Sequence, residues 1–293
     1  MCGIAGITTP RSWTPALQTA LERLQAELRP RGPDDRGLWL SPTGRAGLSH
    51  TRLAILDLSP AGHQPMADPS GRYHITFNGE IYNFRELRAG LENAGEIFTT
   101  HSDTEVLLRL HAREGKAMLS RLRGMFALAI WDEQEQSLFL ARDPFGIKPL
   151  YYCLKDGVLI FASSVNAIRR CGQVPDELEP RALQPYFETG SVPEPLTLLR
   201  DVSLLEAGHW TVWRGGTLQR GSYWEIRFPE NPTPVSGAAA LTREAVLDSV
   251  RSHLVSDTPV GLFLSGGIDS TVLAALAREL GVPALSTFSI GVD

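Results

Sequence analysis

Met1-Cys2-Gly3-Ile4-Ala5-Gly6-Ile7 opens the 293-residue chain, and the reading of its second residue decides which fold to look for. Once Met1 is removed, Cys2 carries a thiol and a free α-amino group on a single residue. A thiol of pKa ~8.5 beside an amine of pKa ~7.7–8.0 is a nucleophile with its own base and needs no histidine. The apolar residues behind it, spaced by glycines, read as a short strand that buries the terminus and leaves room for a substrate at the sulfur. By position alone Cys2 reads first as an ordinary buried cysteine near a chain end, so the rest of the chain has to decide.

The bulk properties narrow the choice. With 43% hydrophobic and 21% charged residues the chain reads as globular, and its length favours two domains. A net charge of -5, a pI near 5.8 and the lack of any basic run argue against a nucleic-acid-binding surface. Cys2, Cys153 and Cys171 are too few and too scattered for a disulfide framework or a zinc site, which points to a reducing cytoplasm. No apolar run approaches the ~20 residues that span a bilayer, so no membrane role is expected. A secretory signal would also have displaced Cys2 from the terminus.

Outward from the first strand, Thr14 and Pro15 form an N-cap and N1 pair for a helix with Leu17, Leu21, Leu24 and Leu28 on one face. Short β-like runs follow at 37–40, 46–51, 73–77, 125–131, 137–141 and 158–161, interrupted by helical patterns at 84–91 and 104–114. Many strands with a few helices predict a layered α+β domain over residues 1–214. Composition then shifts to Gly, Pro and Ser, with Pro229, Pro232 and Pro234 close together, and 215–240 reads as a linker. From 241 to 293 a helix, the apolar strand 260–264, a second helix over 271–280 and a strand at 284–290 make the opening of a βαβ unit. The parallel sheet is cut after two strands, so residues after about Thr242 are expected to be poorly ordered or aggregation-prone in isolation, with negligible ATP binding by this stretch alone.

Between strand and helix stands Ser265-Gly266-Gly267-Ile268-Asp269-Ser270. Its glycines allow backbone N–H groups to close on an anion at a helix N-terminus, although no Walker lysine follows. The plain alternative is a tight turn in which Asp269 or Ser270 caps the helix. The full string resembles the pyrophosphate loop of ATP pyrophosphatases, which implies that Phe263, Leu264, Ser265, Gly266, Gly267, Asp269 and Ser270 hold the ATP phosphates.

A second set of motifs lies before the linker: Met1-Cys2-Gly3-Ile4-Ala5-Gly6, Arg31-Gly32-Pro33-Asp34, Ser49-His50-Thr51-Arg52-Leu53-Ala54-Ile55, Phe77-Asn78-Gly79-Glu80-Ile81-Tyr82-Asn83, His101-Ser102-Asp103-Thr104-Glu105 and Arg142-Asp143-Pro144-Phe145-Gly146. Their order resembles that of class II glutamine amidotransferases, which are N-terminal-nucleophile hydrolases with an αββα sandwich. Joined to the pyrophosphate loop, the whole is similar to the glutamine-dependent asparagine synthetase family, C-terminally truncated. Pro30 departs from the pattern, standing where many relatives carry histidine.

The resemblance implies roles. Cys2 attacks the glutamine amide, with Asn78 and Gly79 as the oxyanion hole. Arg52 forks onto the substrate carboxylate, Glu80 and Asp103 answer its ammonium, and Leu53, Ala54, Ile55 and Leu56 border it. Ammonia then meets an ATP-activated β-aspartyl-AMP, with magnesium on the ATP phosphates and no prosthetic group. Glutamine, aspartate and ATP are the small-molecule partners, a homodimer is compatible with the resemblance, and the same architecture acting on another carboxylate is the alternative. Each residue also has a plainer reading. Ser102 to Glu105 is a capping box, Asn78-Gly79 a turn pair, Arg52 a surface charge. His50, His63, His74 and His101 are expected to be structural, and Arg142 and Asp143 to hold a turn.

Overall fold

The computed structural model describes residues 1–228, 235–282 and 284–291. The chain divides into two compact units, Met1–Glu225 and Ile226–Asp293. The first unit begins β1 (Gly3–Thr8), α1 (Pro15–Leu28), β2 (Asp35–Leu40), β3 (Ala46–Arg52), β4 (Met66–Ala67), β5 (Tyr73–Ile81), α2 (Phe84–Asn93) and α3 (Asp103–Glu114). It continues with β6 (Gly124–Asp132), β7 (Ser137–Arg142), β8 (Tyr151–Lys155), β9 (Val158–Ala162), α4 (Val165–Arg170), α5 (Pro180–Thr189), β10 (Ser203–Leu204), β11 (His209–Arg214) and β12 (Thr217–Ser222).

These strands form two antiparallel six-stranded sheets, in the orders β10-β8-β9-β1-β3-β2 and β12-β11-β7-β6-β5-β4. The alternation of side chains along β1 shows why it sits in the middle. Ile4 belongs to the core shared with Trp131, Leu140 and Trp213 of the facing sheet, while Ala5 and Ile7 pack on Leu17, Leu21 and Leu24 of α1. All six residues of β1 are buried. On the outer side of the second sheet α3 buries Val106, Leu107 and Leu110, and His111 stacks on Phe139. The layers are therefore helix, sheet, sheet, helix, the αββα sandwich of N-terminal-nucleophile hydrolases.

The Thr14 cap is present, its side chain accepting from Leu17 N, with Pro15 at the first helical position. Two local expectations are revised. Asn78-Gly79 is no turn: β5 runs unbroken from Tyr73 to Ile81, paired along its length with β6. The stretch 215–240 does not begin as a linker. Gly215 and Gly216, with φ of 57° and 94°, close a two-residue hairpin, and β12 pairs with β11 from Thr217 to Ser222. Glycine content marked a tight turn there, which composition alone cannot tell from a tether. Pro229, Pro232 and Pro234 lie outside the described residues.

The second unit contains α6 (Val235–His253), β13 (Gly261–Phe263), α7 (Ile268–Glu279) and β14 (Ser286–Phe288). β13 and β14 are parallel, with Leu262 opposite Thr287. Val250, Leu276 and Ala277 form its small core with Val246, Leu247 and Leu280 around them. Among the described residues no helix is long and apolar enough to cross a membrane.

Candidate active site

A cleft in the first unit brings Cys2 together with Arg52, Leu53, Ile55, Leu56, Asn78, Gly79, Glu80 and Asp103. These residues come from the chain end just before β1, β3 and its following loop, β5 and α3, so the sandwich itself assembles motifs up to about a hundred residues apart. Ala54 stays outside the lining, its N–H donating to Asp34 Oδ2 at 2.8 Å. Cys2 is placed by its backbone: Arg31 Nε donates to the Cys2 carbonyl at 3.0 Å, and β1 begins at the next residue. Its sulfur meets one peptide, accepting from Leu53 N at 3.4 Å and donating to Leu53 O at 3.5 Å. Burial pushes the thiol pKa up, partly offset by that hydrogen bond and by the nearby amino terminus.

β5 supplies two differently directed groups. Asn78 is almost wholly buried, and its Nδ2 has no hydrogen-bond partner among the described residues. Such an orphaned donor is costly and therefore informative. Along the edge of β5 that turns away from β6, Phe77 N donates to Gln64 Oε1 at 2.7 Å and Ile81 N to Asp103 Oδ2 at 3.0 Å. Strand alternation puts the Gly79 N–H between these two on the same edge. Gly79 also faces a spatial constraint, because a Cβ there would lie 2.2 Å from Met125 O.

Asp103 opens α3, where Ser102 is the N-cap and its Oγ accepts from Thr104 N. The reciprocal half of the capping box is missing: Glu105 instead takes the N–H groups of Thr99 and Thr100. Burial lifts the Asp103 carboxyl to about 7, with neighbouring Glu80 adding to the rise.

Arg52 is a buried residue rather than a surface charge. Its Nη1 donates to Ser59 O at 2.9 Å, and its Nη2 to Leu56 O at 3.3 Å and to Asp57 O. Both ends of the fork thus fasten the loop that follows β3, while the guanidinium still borders the cleft.

Three lining or supporting residues escaped the sequence reading. Gln64 ties β5 to α3 through Thr104 Oγ1, Arg31 holds Cys2, and Lys148 contributes a buried cation. Nothing in sequence marks Gln64, whereas Lys148 lies two residues beyond the Arg142–Gly146 run and could have been taken with it. That run does hold a turn: Asp143 accepts from Phe126 N, Phe145 N, Ile147 N and Lys148 N, and Arg142 donates to Gly146 O and Lys148 O.

In the second unit, Phe263 and Leu264 lead from β13 into the glycine turn. Gly266 has φ 79°, and the N-cap of α7 is Gly267, not Asp269 or Ser270. No side chain caps α7; Ser265 Oγ instead contacts Ser270 Oγ at 3.1 Å. The first-turn amides of a helix without a side-chain cap remain available to an anion, which fits phosphate. Among the described residues no group of three His, Cys, Asp or Glu could hold a metal ion.

Residues 1–224 match the glutamine amidotransferase domain family, and residues 241–293 match the asparagine synthase family. The chain is 39% identical over 296 residues to glutamine-hydrolysing asparagine synthetase 1 of Bacillus subtilis, aligning all of this chain with 46% of that protein. It is 33% identical over 300 residues to asparagine synthetase 3 of the same organism, covering 100% of this chain and 48% of that one. The chain thus spans about half the length of these relatives. A solved glutamine phosphoribosylpyrophosphate amidotransferase from B. subtilis, in complex with ADP and GMP, superposes with a TM-score of 0.57 at 19% identity, over 98% of this chain and 65% of that one. That likeness is one of fold.

Proposed function

Starting from the finding that the chain belongs to the glutamine amidotransferase domain family, we propose that its first unit hydrolyses glutamine at Cys2. The observation that carries the reading is the Asn78 amide, a buried donor with no partner among the described residues that lines the same cleft as the Cys2 sulfur. In the reaction the free α-amine of Cys2 takes the thiol proton, and Sγ attacks the amide carbon. The oxygen that becomes negative is met by Asn78 Nδ2 and the Gly79 N–H. The ammonium returns its proton to the leaving nitrogen, ammonia departs, and water cleaves the thioester to glutamate. Arg52 directs its charge at the substrate carboxylate, and Glu80 and Asp103 receive the ammonium.

The mechanism requires loss of Met1. In the chain as it stands the Cys2 nitrogen is an amide, and the amino group belongs to exposed Met1. Removal leaves Cys2 held by Arg31 and β1.

The ammonia is destined for a carboxylate activated by ATP. The asparagine synthase match and the uncapped helix at Gly267 support ATP binding; in this reading magnesium would balance the ATP phosphates and aspartate is the acceptor. Aspartate and ATP give β-aspartyl-AMP and pyrophosphate; ammonia then displaces AMP to give asparagine. The test is direct. Purified protein beginning at Cys2 is incubated with glutamine and glutamate release is followed; protein retaining Met1, or carrying Cys2→Ala, is expected to release none. Equal rates from the Met1-retaining and processed forms would remove the α-amine from the mechanism.

A further inference from the structure

Gln64 is 5% exposed, lines the cleft and stands in for a strand. β4 is only Met66 and Ala67, and its antiparallel register sets Met66 opposite Ile75 of β5. Continued, that register would set Gln64 opposite Phe77 and Gly62 opposite Gly79, and a backbone carbonyl would then take the Gly79 N–H. The chain instead curls into the helical turn Pro60–Gly62, where a Cβ on Gly62 would collide with the Arg52 guanidinium.

Side chains complete what the missing strand leaves. Gln64 Oε1 accepts from Phe77 N at 2.7 Å, and His50 Nε2 donates to the Phe77 carbonyl at 3.1 Å, since a carbonyl can only accept. Two residues past Gly79, Asp103 Oδ2 takes Ile81 N. β6 makes no claim on Gly79: the residue opposite, Phe126, donates to Asp143 Oδ2 at 3.1 Å and accepts from Asp143 N at 2.8 Å. A side chain satisfies one amide and stops, whereas a strand would have gone on to the next. The far end of Gln64 is fixed too, its Nε2 donating at 3.1 Å to buried Thr104 Oγ1, next to Asp103 in α3.

We infer that Gln64 is a positioning residue of the glutaminase site, holding β5 so that Asn78 and Gly79 are aimed at the amide oxygen while the Gly79 N–H is kept out of any ladder. This rests on the reading of Asn78 and Gly79 as the oxyanion donors. The Phe77 carbonyl and the Asn78 N–H share one peptide plane, so anchoring Phe77 at both its N–H and its carbonyl fixes the plane from which the next two donors project. The link to Thr104 sets those donors in register with Asp103, which receives the substrate ammonium. Charge builds on the amide oxygen only as Sγ attacks, so loose donors cost more in the transition state than in the bound substrate.

The experiment uses the full chain beginning at Cys2 and compares the parent with Gln64→Met, Gln64→Glu, Asn78→Ala and the double variant Gln64→Met with Asn78→Ala. Gln64→Met fills the same space without either hydrogen bond; kcat for glutamate release is expected to fall ~10²-fold, with KM for glutamine within about twofold of the parent. Gln64→Glu keeps an oxygen for Phe77 N, and the rotatable Thr104 hydroxyl turns to donate to it, so most of the lost kcat returns. In the Asn78→Ala background, where one of the aimed donors is already gone, Gln64→Met should cost less than about fivefold more. Deuterium uptake of the 77–81 amides should be faster in Gln64→Met than in the parent. Should Gln64→Met aggregate, Gln64→Ser removes the same two contacts and is read in the same way. A raised KM with parental kcat, a full ~10²-fold further loss in the double variant, or unchanged uptake over 77–81 overturns the proposal. Failure of the parent to release glutamate would instead overturn the glutaminase reading, and the deuterium uptake would still decide whether Gln64 holds the strand.

Discussion

The Cys2 sulfur and the Leu53 peptide engage each other twice, through Leu53 N to Sγ at 3.4 Å and Sγ to Leu53 O at 3.5 Å. The contact sets the sulfur against the loop after β3 and aims it into the cleft.

Cys2→Ser keeps a donor and acceptor of similar size at this contact but supplies a far weaker nucleophile. Glutamate release should fall by at least ~10³-fold while Tm stays within about 1 kcal/mol equivalent of the parent. Coupled glutamate dehydrogenase assay and thermal denaturation check the pair; parental turnover by Cys2→Ser would exclude Cys2 as nucleophile.

Asn78→Ala should lower kcat ~10²–10³-fold, the usual cost of one oxyanion donor. Its effect on stability should be small, because the Nδ2 it removes has no partner among the described residues. A variant with parental kcat and a large loss of Tm would make Asn78 a structural residue.

Gly79→Ala is expected to act oppositely, through the fold. Its Cβ would meet Met125 O at 2.2 Å and Phe126 Cα at 2.8 Å, both backbone atoms of the neighbouring strand. Overpacking of that kind costs about 3 kcal/mol, readable as a shift in the urea midpoint. An unchanged midpoint would show that β5 and β6 can separate freely.

Asp103 gives a pH signature. Its carboxyl titrates at about 7 when folded, against ~3.9 in the unfolded chain. The folded state therefore holds more protons between these values, and stability from this residue is present below the unfolded pKa and lost as pH rises towards 7. Asp103→Asn should flatten that decline, the new side chain still accepting from Ile81 N. In the parent, KM for glutamine should rise as pH falls below about 7, because a protonated Asp103 no longer attracts an ammonium. A pH-independent KM would take Asp103 out of glutamine binding.

Arg52→Lys should raise KM for glutamine and loosen the loop from Leu53 to Ser59. A point charge cannot reproduce the planar fork that reaches Leu56, Asp57 and Ser59 carbonyls together. Hydrogen exchange of the 53–59 amides measures the second effect, and unchanged protection with raised KM would assign Arg52 to substrate alone.

Much of the fold was legible because its signals are local. The leucines of α1 at helical spacing, the Thr14 cap and the β-rich alternation from 37 to 161 each report on their own segment. The class of the sandwich came from motif order. What sequence could not convey was long-range pairing. Asn78-Gly79 has turn composition, yet nine residues of β6 hold it in a strand. Gly215-Gly216 looks like a tether until β11 and β12 are seen to pair across it. Arg52 looks solvent-exposed until its loop folds back onto it. Lys148 went unread because a lone lysine acquires meaning only from the cleft that β1, β5 and α3 enclose around it.

The seating of Asn78 and Gly79 in the middle of a paired strand has one further consequence, and it concerns entropy. A loop that organised itself around each incoming amide would lose roughly 1–2 kcal/mol of backbone freedom per residue at every turnover. Here that ordering happened once, when β5 zipped onto β6 during folding, and glutamine arrives at donors already aimed. Substitutions far along the β5–β6 ladder should therefore reach the chemistry by letting this strand fray, appearing as slower turnover in proteins whose cleft residues are all intact.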